Sequence, residues 1–107
     1  MNKLYDNINP DWDEVLEEFK EKINTIVTNI GDNYTPSTEN ILRPFKLTKY
    51  EDIKIIIIGQ DPYPRKGVAD GLAFSCENIQ GSLYNIFQSL INNKCIDAKP
   101  ELGGKLD

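Results

Sequence analysis

Ile53-Lys54-Ile55-Ile56-Ile57-Ile58-Gly59-Gln60-Asp61-Pro62-Tyr63 is the stretch on which the fold turns. Four consecutive isoleucines leave no polar face, whereas a half-exposed strand alternates apolar with polar residues. Such a run predicts a strand covered on both sides, as the inner strands of parallel sheets are. Gly59 ends it, and Asp61-Pro62 turns the chain, because the residue before a proline is pushed out of the helical region. Open α/β sheets bind ligands beyond the carboxyl ends of their strands, so Gln60, Asp61 and Tyr63 stand where a site is expected. On these grounds alone Asp61 is either a carboxylate presented on a stiff turn or an ordinary turn residue, and Tyr63 either a site wall or core packing.

Upstream, Asn9-Pro10-Asp11 reads as a helix start. Asn9 suits a cap, Pro10 the first helical position, and Asp11 and Asp13 the positive end of the dipole. Trp12, Val15, Leu16, Phe19, Ile23, Ile26, Val27 and Ile30 then recur at steps of three and four. That period predicts one buried face over roughly five turns, stopped by Gly31. Glu14, Glu17, Glu18, Glu21 and Lys22 take the opposite face. Residues 31–40 are polar and contain Pro36, which predicts a loop; Glu39 to Leu42 is expected to form a short helical turn, and Phe45 and Leu47 to return to the core. Downstream, a helix is predicted from Ser82, as its N-cap, to Asn92, with Leu83, Ile86, Phe87, Leu90 and Ile91 buried. Residues 97–107 hold Pro100, Gly103 and Gly104 without periodicity, and no segment repeats another. Helix, buried strand, loop, helix is the opening of an α/β fold, and a single strand cannot complete a sheet.

The chain has 107 residues, 39% apolar and 27% charged, which predicts one globular domain. No apolar run approaches the ~20 residues needed to span a bilayer. The first residues lack the apolar core of a signal peptide and the Arg-rich character of a transit peptide, so a cytoplasmic or nuclear setting is expected. Cys76 and Cys95 are the only cysteines and are each expected to be buried, reduced thiols. There is no histidine, which removes any imidazole base or histidine-based metal site. The net charge of −5 argues against a nucleic-acid surface if taken whole. Residues 1–54 hold 11 acids and 7 bases, a net −4; residues 55–107 hold 6 acids and 5 bases, a net −1. The acidity therefore belongs largely to the first helix and not to the surroundings of Asp61.

Gly59-Gln60-Asp61-Pro62-Tyr63 resembles the signature loop of family 1 uracil-DNA glycosylases. The likeness continues through Gly71-Leu72-Ala73-Phe74-Ser75 and Ser82-Leu83-Tyr84-Asn85-Ile86. A Trp-containing helix and a Phe-bearing segment precede the strand in the same order, so the resemblance covers most of the chain, with its specific part in residues 55–86. It implies a three-layer α/β/α fold with a central parallel sheet. Residues 1–107 are then the N-terminal portion of a single domain, truncated at the C-terminus, with only the first core strand and its flanking helices present. The implied reaction is excision of uracil from DNA, the first step of base-excision repair, with no metal or cofactor. The implied partner is uracil-containing DNA, and the full-length protein is expected to be monomeric.

On that resemblance Asp61 is the catalytic carboxylate, stabilising a cation-like sugar and orienting the attacking water. The backbone of Gln60 supports a uracil carbonyl. Tyr63 fills the space beside uracil C5 and so excludes the methyl group of thymine, and Phe74 stacks on the flipped base. Ser82, opening a helix, contacts a DNA phosphate.

Several residues depart from the pattern. Pro64 stands where the loop usually ends in histidine, a form that resembles poxviral members of the family. Asp70 replaces a second histidine ahead of Gly-Leu-Ala-Phe, and Asn78-Ile79-Gln80-Gly81 replaces a proline-rich segment ahead of Ser82. The family's Leu-Leu-Leu-Asn strand, whose asparagine reads uracil, and its His-Pro-Ser-Pro-Leu loop, with the electrophilic histidine, do not occur in these residues, which are therefore expected to be an incomplete, inactive half. The alternative is a non-catalytic product or a DNA polymerase partner of the processivity type, as the poxviral relatives are. A mononucleotide-binding α/β domain fits worse, because Gln60-Asp61-Pro62-Tyr63 is not a Gly-rich phosphate loop.

Overall fold

The computed structural model describes residues 3–78, 80–96 and 106. Regular structure among them is helical: α1 (Asp13–Asn29), α2 (Arg43–Leu47) and α3 (Gly81–Asn92), with 3₁₀ turns at Pro10–Trp12, Thr38–Asn40 and Tyr50–Asp52. No helix among the described residues is long and apolar enough to cross a membrane.

The start of α1 follows from its residues. Pro10 opens the 3₁₀ turn, and Asp11, Asp13 and Glu14 sit where the exposed N–H groups favour negative charge. Asn9 departs from expectation, because its side chain does not cap the helix. Its Nδ2 donates instead to the carbonyl of Lys46 at 3.3 Å, tying the entry of α1 to α2. Gly31, at φ +72°, supplies the left-handed residue that ends the helix.

Trp12 fixes α1 against the segment that follows α2. Its Nε1 donates to the Thr48 carbonyl at 2.8 Å, and its ring meets Phe45 and Tyr50 edge-on at 4.6 and 5.2 Å. Further along, Val27 packs with Leu4 and Leu42, joined by Ile23, Ile41 and Phe45. The expected apolar face is covered only in part: Trp12, Leu16 and Val27 are buried, while Phe19, Ile26 and Ile30 stay about half exposed. These three, spaced by seven and four residues, form a ridge beside the buried one.

Pro44 lies in the first turn of α2, where its missing N–H removes no helical bond. The expected turn at residues 39–42 forms as the 3₁₀ turn Thr38–Asn40, and the helix proper comes after it. Phe45 reaches the core as expected; Leu47 does not and is 49% exposed. A second cluster gathers Cys76, Leu83 and Phe87, with Tyr63, Val68 and Leu90 against it. α3 starts two residues earlier than predicted, with Gln80 and not Ser82 in the cap position, so Ser82 is the second helical residue and no side chain caps the helix. Ile86 is exposed instead of buried. The tail expected to lack periodicity, at residues 97–105 and 107, lies outside the described residues.

The largest correction concerns residues 53–59. No strand forms there among the described residues, so the α/β order expected from the isoleucine run is not present in them. Ile55, Ile56, Ile57 and Ile58 are 82%, 72%, 69% and 88% exposed. A helix closes its hydrogen bonds within its own segment, but a strand needs a neighbour for every N–H and C=O. Among the described residues no strand stands beside this segment to supply them. Burying such side chains is worth ~1.5–3 kcal/mol each, so about 6–12 kcal/mol of apolar burial is left unrealised along these four residues.

Candidate active site

Two loops meet where the sequence places the site. The first is residues 59–63, after the isoleucine run; the second is residues 70–75, before α3. The Tyr63 hydroxyl donates to the Phe74 carbonyl at 2.8 Å. A Cβ built on Gly59 would lie 3.7 Å from that of Ala73, ordinary contact distance, so the two segments also abut at the loop's start. Thr35 fixes the first loop from behind, its Oγ1 donating to the Tyr63 carbonyl at 2.9 Å.

Burial pushes the Tyr63 phenol above its ordinary value, and the neighbouring Cys76 thiol and Asp70 carboxylate push it the same way. The hydroxyl therefore stays protonated as a donor at neutral pH. Asp61 and Gln60 lie on the exposed part of the loop, and among the described residues the Asp61 carboxylate has no hydrogen-bond or ion-pair partner. Of the expected site residues, Tyr63 and Phe74 are brought together directly. Ser82 sits in the first turn of α3, whose Leu83 shares the hydrophobic cluster with Tyr63. Among the described residues no hydrogen bond or ion pair joins Asp61 or Gln60 to the other three.

The second loop is held by groups that the sequence did not single out as a site. Asp70 accepts the Leu72 N–H on Oδ1 at 3.2 Å and the Ser75 hydroxyl on Oδ2 at 2.5 Å. Arg43 reaches across from α2, donating through Nη1 to the Asp70 carbonyl at 3.0 Å and lying 3.5 Å from Oδ2. Ser75 is fully buried, and its Oγ also accepts the Leu106 N–H at 3.0 Å. Gly71, at φ +97°, backs onto the 3₁₀ turn; a Cβ there would stand 2.0 Å from the Asn40 carbonyl oxygen, so no other residue fits without moving backbone. Phe74 itself is left-handed, at φ +66°, a conformation that costs a bulky residue ~1–3 kcal/mol. One signal for this network was available: a carboxylate in place of histidine invites a cation, and the chain has only two arginines.

Cys76 is buried as expected and donates to the Asn78 carbonyl at 3.0 Å; Cys95 is exposed, against expectation. Beside the first loop, a cleft of about 320 Å³ runs between Arg65–Val68 and Glu77, Asn78 and Gln80. A larger furrow, about 580 Å³, is walled entirely by α1 and faces no part of the site.

No family model matches the chain. Individual proteins do. A uracil-DNA glycosylase of Fusobacterium nucleatum is 40% identical over 93 residues, covering 78% of this chain and 41% of the relative. One from Parafrankia is 34% identical over 97 residues, covering 81% and 43%. One from Mesomycoplasma hyopneumoniae is 48% identical over 59 residues, covering 53% and 27%. Identity at this level across most of the chain places it in the uracil-DNA glycosylase family. The chain spans about two fifths of the length of the first two relatives.

Proposed function

We propose that this chain is the first part of a uracil-DNA glycosylase domain, and that the complete protein hydrolyses the N-glycosidic bond between uracil and deoxyribose in DNA, opening base-excision repair. The observation that carries the reading is the hydrogen bond from Tyr63 to the Phe74 carbonyl. It joins aromatic residues of two separate loops, the first of which also bears a lone carboxylate. As the glycosidic bond breaks, its electron pair leaves with uracil and the sugar becomes cation-like. Asp61 stabilises that charge and orients the water that attacks the sugar. Gln60 supports a uracil carbonyl, Phe74 stacks on the extruded base, Tyr63 blocks the space a 5-methyl group needs, and Ser82 holds a DNA phosphate. Each of these contributions is electrostatic or steric.

The fold that accompanies this reading is α/β/α, with residues 53–59 as an inner strand of a parallel sheet. Its support is physical: four adjacent isoleucines, each at least 69% exposed, are a surface short of neighbours. The test of the catalytic assignment is Asp61→Asn in the complete protein. Uracil release is expected to fall roughly 10²–10³-fold while affinity for DNA is retained. Turnover near that of the wild type would remove Asp61 from the mechanism.

A further inference from the structure

We infer that Asp70 is a positioning residue for Phe74, holding the base-stacking loop in place through Leu72, Ser75 and Arg43; the inference rests on the glycosylase reading of Phe74. A left-handed conformation at a bulky residue persists only where its surroundings over-determine it. Phe74 is such a residue, and its side chain, 37% exposed, belongs to neither core cluster. What fixes the backbone must therefore lie elsewhere in the loop.

Asp70 supplies that constraint on both sides of Phe74. Its Oδ1 takes the Leu72 N–H two residues before the ring, and its Oδ2 takes the Ser75 hydroxyl one residue after it. The loop is pinned a third time at the Phe74 carbonyl, by Tyr63. Arg43 neutralises the half-buried carboxylate and holds the Asp70 carbonyl, which anchors the loop to α2 across 27 residues of sequence. Gly71 allows the loop to lie flat on the Asn40 carbonyl. Removing the carboxylate frees the Leu72 N–H and the buried Ser75 hydroxyl together, and leaves φ of Phe74 held only by the turn bond from the Ser75 N–H to the Leu72 carbonyl at 3.1 Å and by Tyr63. Asp70 touches neither uracil nor sugar; it acts through the ring it places.

The experiment is a double-mutant cycle in the complete protein, with Asp70→Ala, Phe74→Ala and the pair. Asp70→Ala is expected to lower kcat/KM on uracil-containing DNA roughly ten- to a hundredfold and to weaken inhibition by free uracil. Affinity for uracil-free duplex is expected to stay the same. In the Phe74→Ala background the same change should have little further effect, because two residues acting through one contact are not additive. Fully additive losses, or an unchanged kcat/KM, overturn the proposal. A second measurement does not depend on catalysis. With para-fluorophenylalanine at position 74, the fluorine NMR line is expected to be single and narrow in the wild type and split or broadened in Asp70→Ala. An unchanged line overturns positioning even if the protein releases no uracil, whereas a changed line with no uracil release would overturn the glycosylase reading alone.

Discussion

Tyr63 has separable duties in its ring and its hydroxyl. The ring is the proposed barrier beside uracil C5, so Tyr63→Ala in the complete protein is expected to let thymine in. The measurement is release of thymine from thymine-containing oligonucleotides; if thymine stays untouched while uracil is still cleaved, the steric role is wrong. The hydroxyl instead ties the two loops through the Phe74 carbonyl. Its pKa is raised in the fold, chiefly by burial. The folded state therefore holds its proton more tightly than the unfolded chain, and the stability this contributes is complete below the ordinary value of 10.0 and is lost as pH rises through the folded value. Ionisation also turns the donor into an acceptor facing a carbonyl. Melts of wild type and Tyr63→Phe should differ at neutral pH and converge in strongly alkaline buffer. A gap that stays constant with pH would show that the phenol's proton is not what holds the loops.

Among the elements, legibility in the sequence follows the range of the interactions. The limits of α1 and the end of α3 could be read from three-and-four spacing, Pro10 and Gly31, because helical hydrogen bonds and stop signals lie within a few residues of one another; the start of α3 could not, since Ser82 has the chemistry of a cap yet lies inside the helix. Which part of the apolar face of α1 is covered could not be read, since Leu4 and Leu42 cover Val27 from distant positions while Phe19, Ile26 and Ile30 stay about half exposed among the described residues. The motif loops could be recognised, but for the Arg43–Asp70 pair that braces the second the sequence held only an indirect signal, a carboxylate in place of histidine, as no local pattern links residues 27 apart. The isoleucine run is the sharpest case. Its composition demands burial on two faces, but a strand exists only with partners, and none is among the described residues. If the complete protein supplies them, Ile56→Ala and Ile57→Ala, which point to opposite faces of a strand, should each cost about 2–5 kcal/mol in denaturant unfolding. Were both within about 0.5 kcal/mol of wild type, the run would be a surface segment and the sheet assignment would fall.

For the whole molecule the surface area is decisive. The chain exposes 8230 Å², whereas a folded monomer of 12.2 kDa is expected to expose about 6,100 Å². Its radius of gyration is 15.3 Å, against about 13 Å for a compact domain of this length. The excess includes Ile55–Ile58 and the Phe19, Ile26, Ile30 ridge, two apolar surfaces of the kind a domain keeps inside. The described hydrophobic core is correspondingly divided between two small clusters, each built on three buried residues. A stability of only ~5–15 kcal/mol is normal for a whole domain, and the unrealised burial of four isoleucines alone is of that order. Residues 1–107 expressed alone are therefore expected to unfold without a cooperative transition and to aggregate through the unpaired 53–59 segment. They are also expected to release no uracil, because none of these residues can take the roles the family gives to its later asparagine and histidine. A thermal melt followed by circular dichroism tests the first expectation, and a uracil-release assay on the same sample tests the second. A sharp cooperative melt would mean that the exposed isoleucines are covered in solution, by a second copy or by the chain itself. Measurable uracil release would mean that Asp61 and its neighbouring loops suffice for the chemistry.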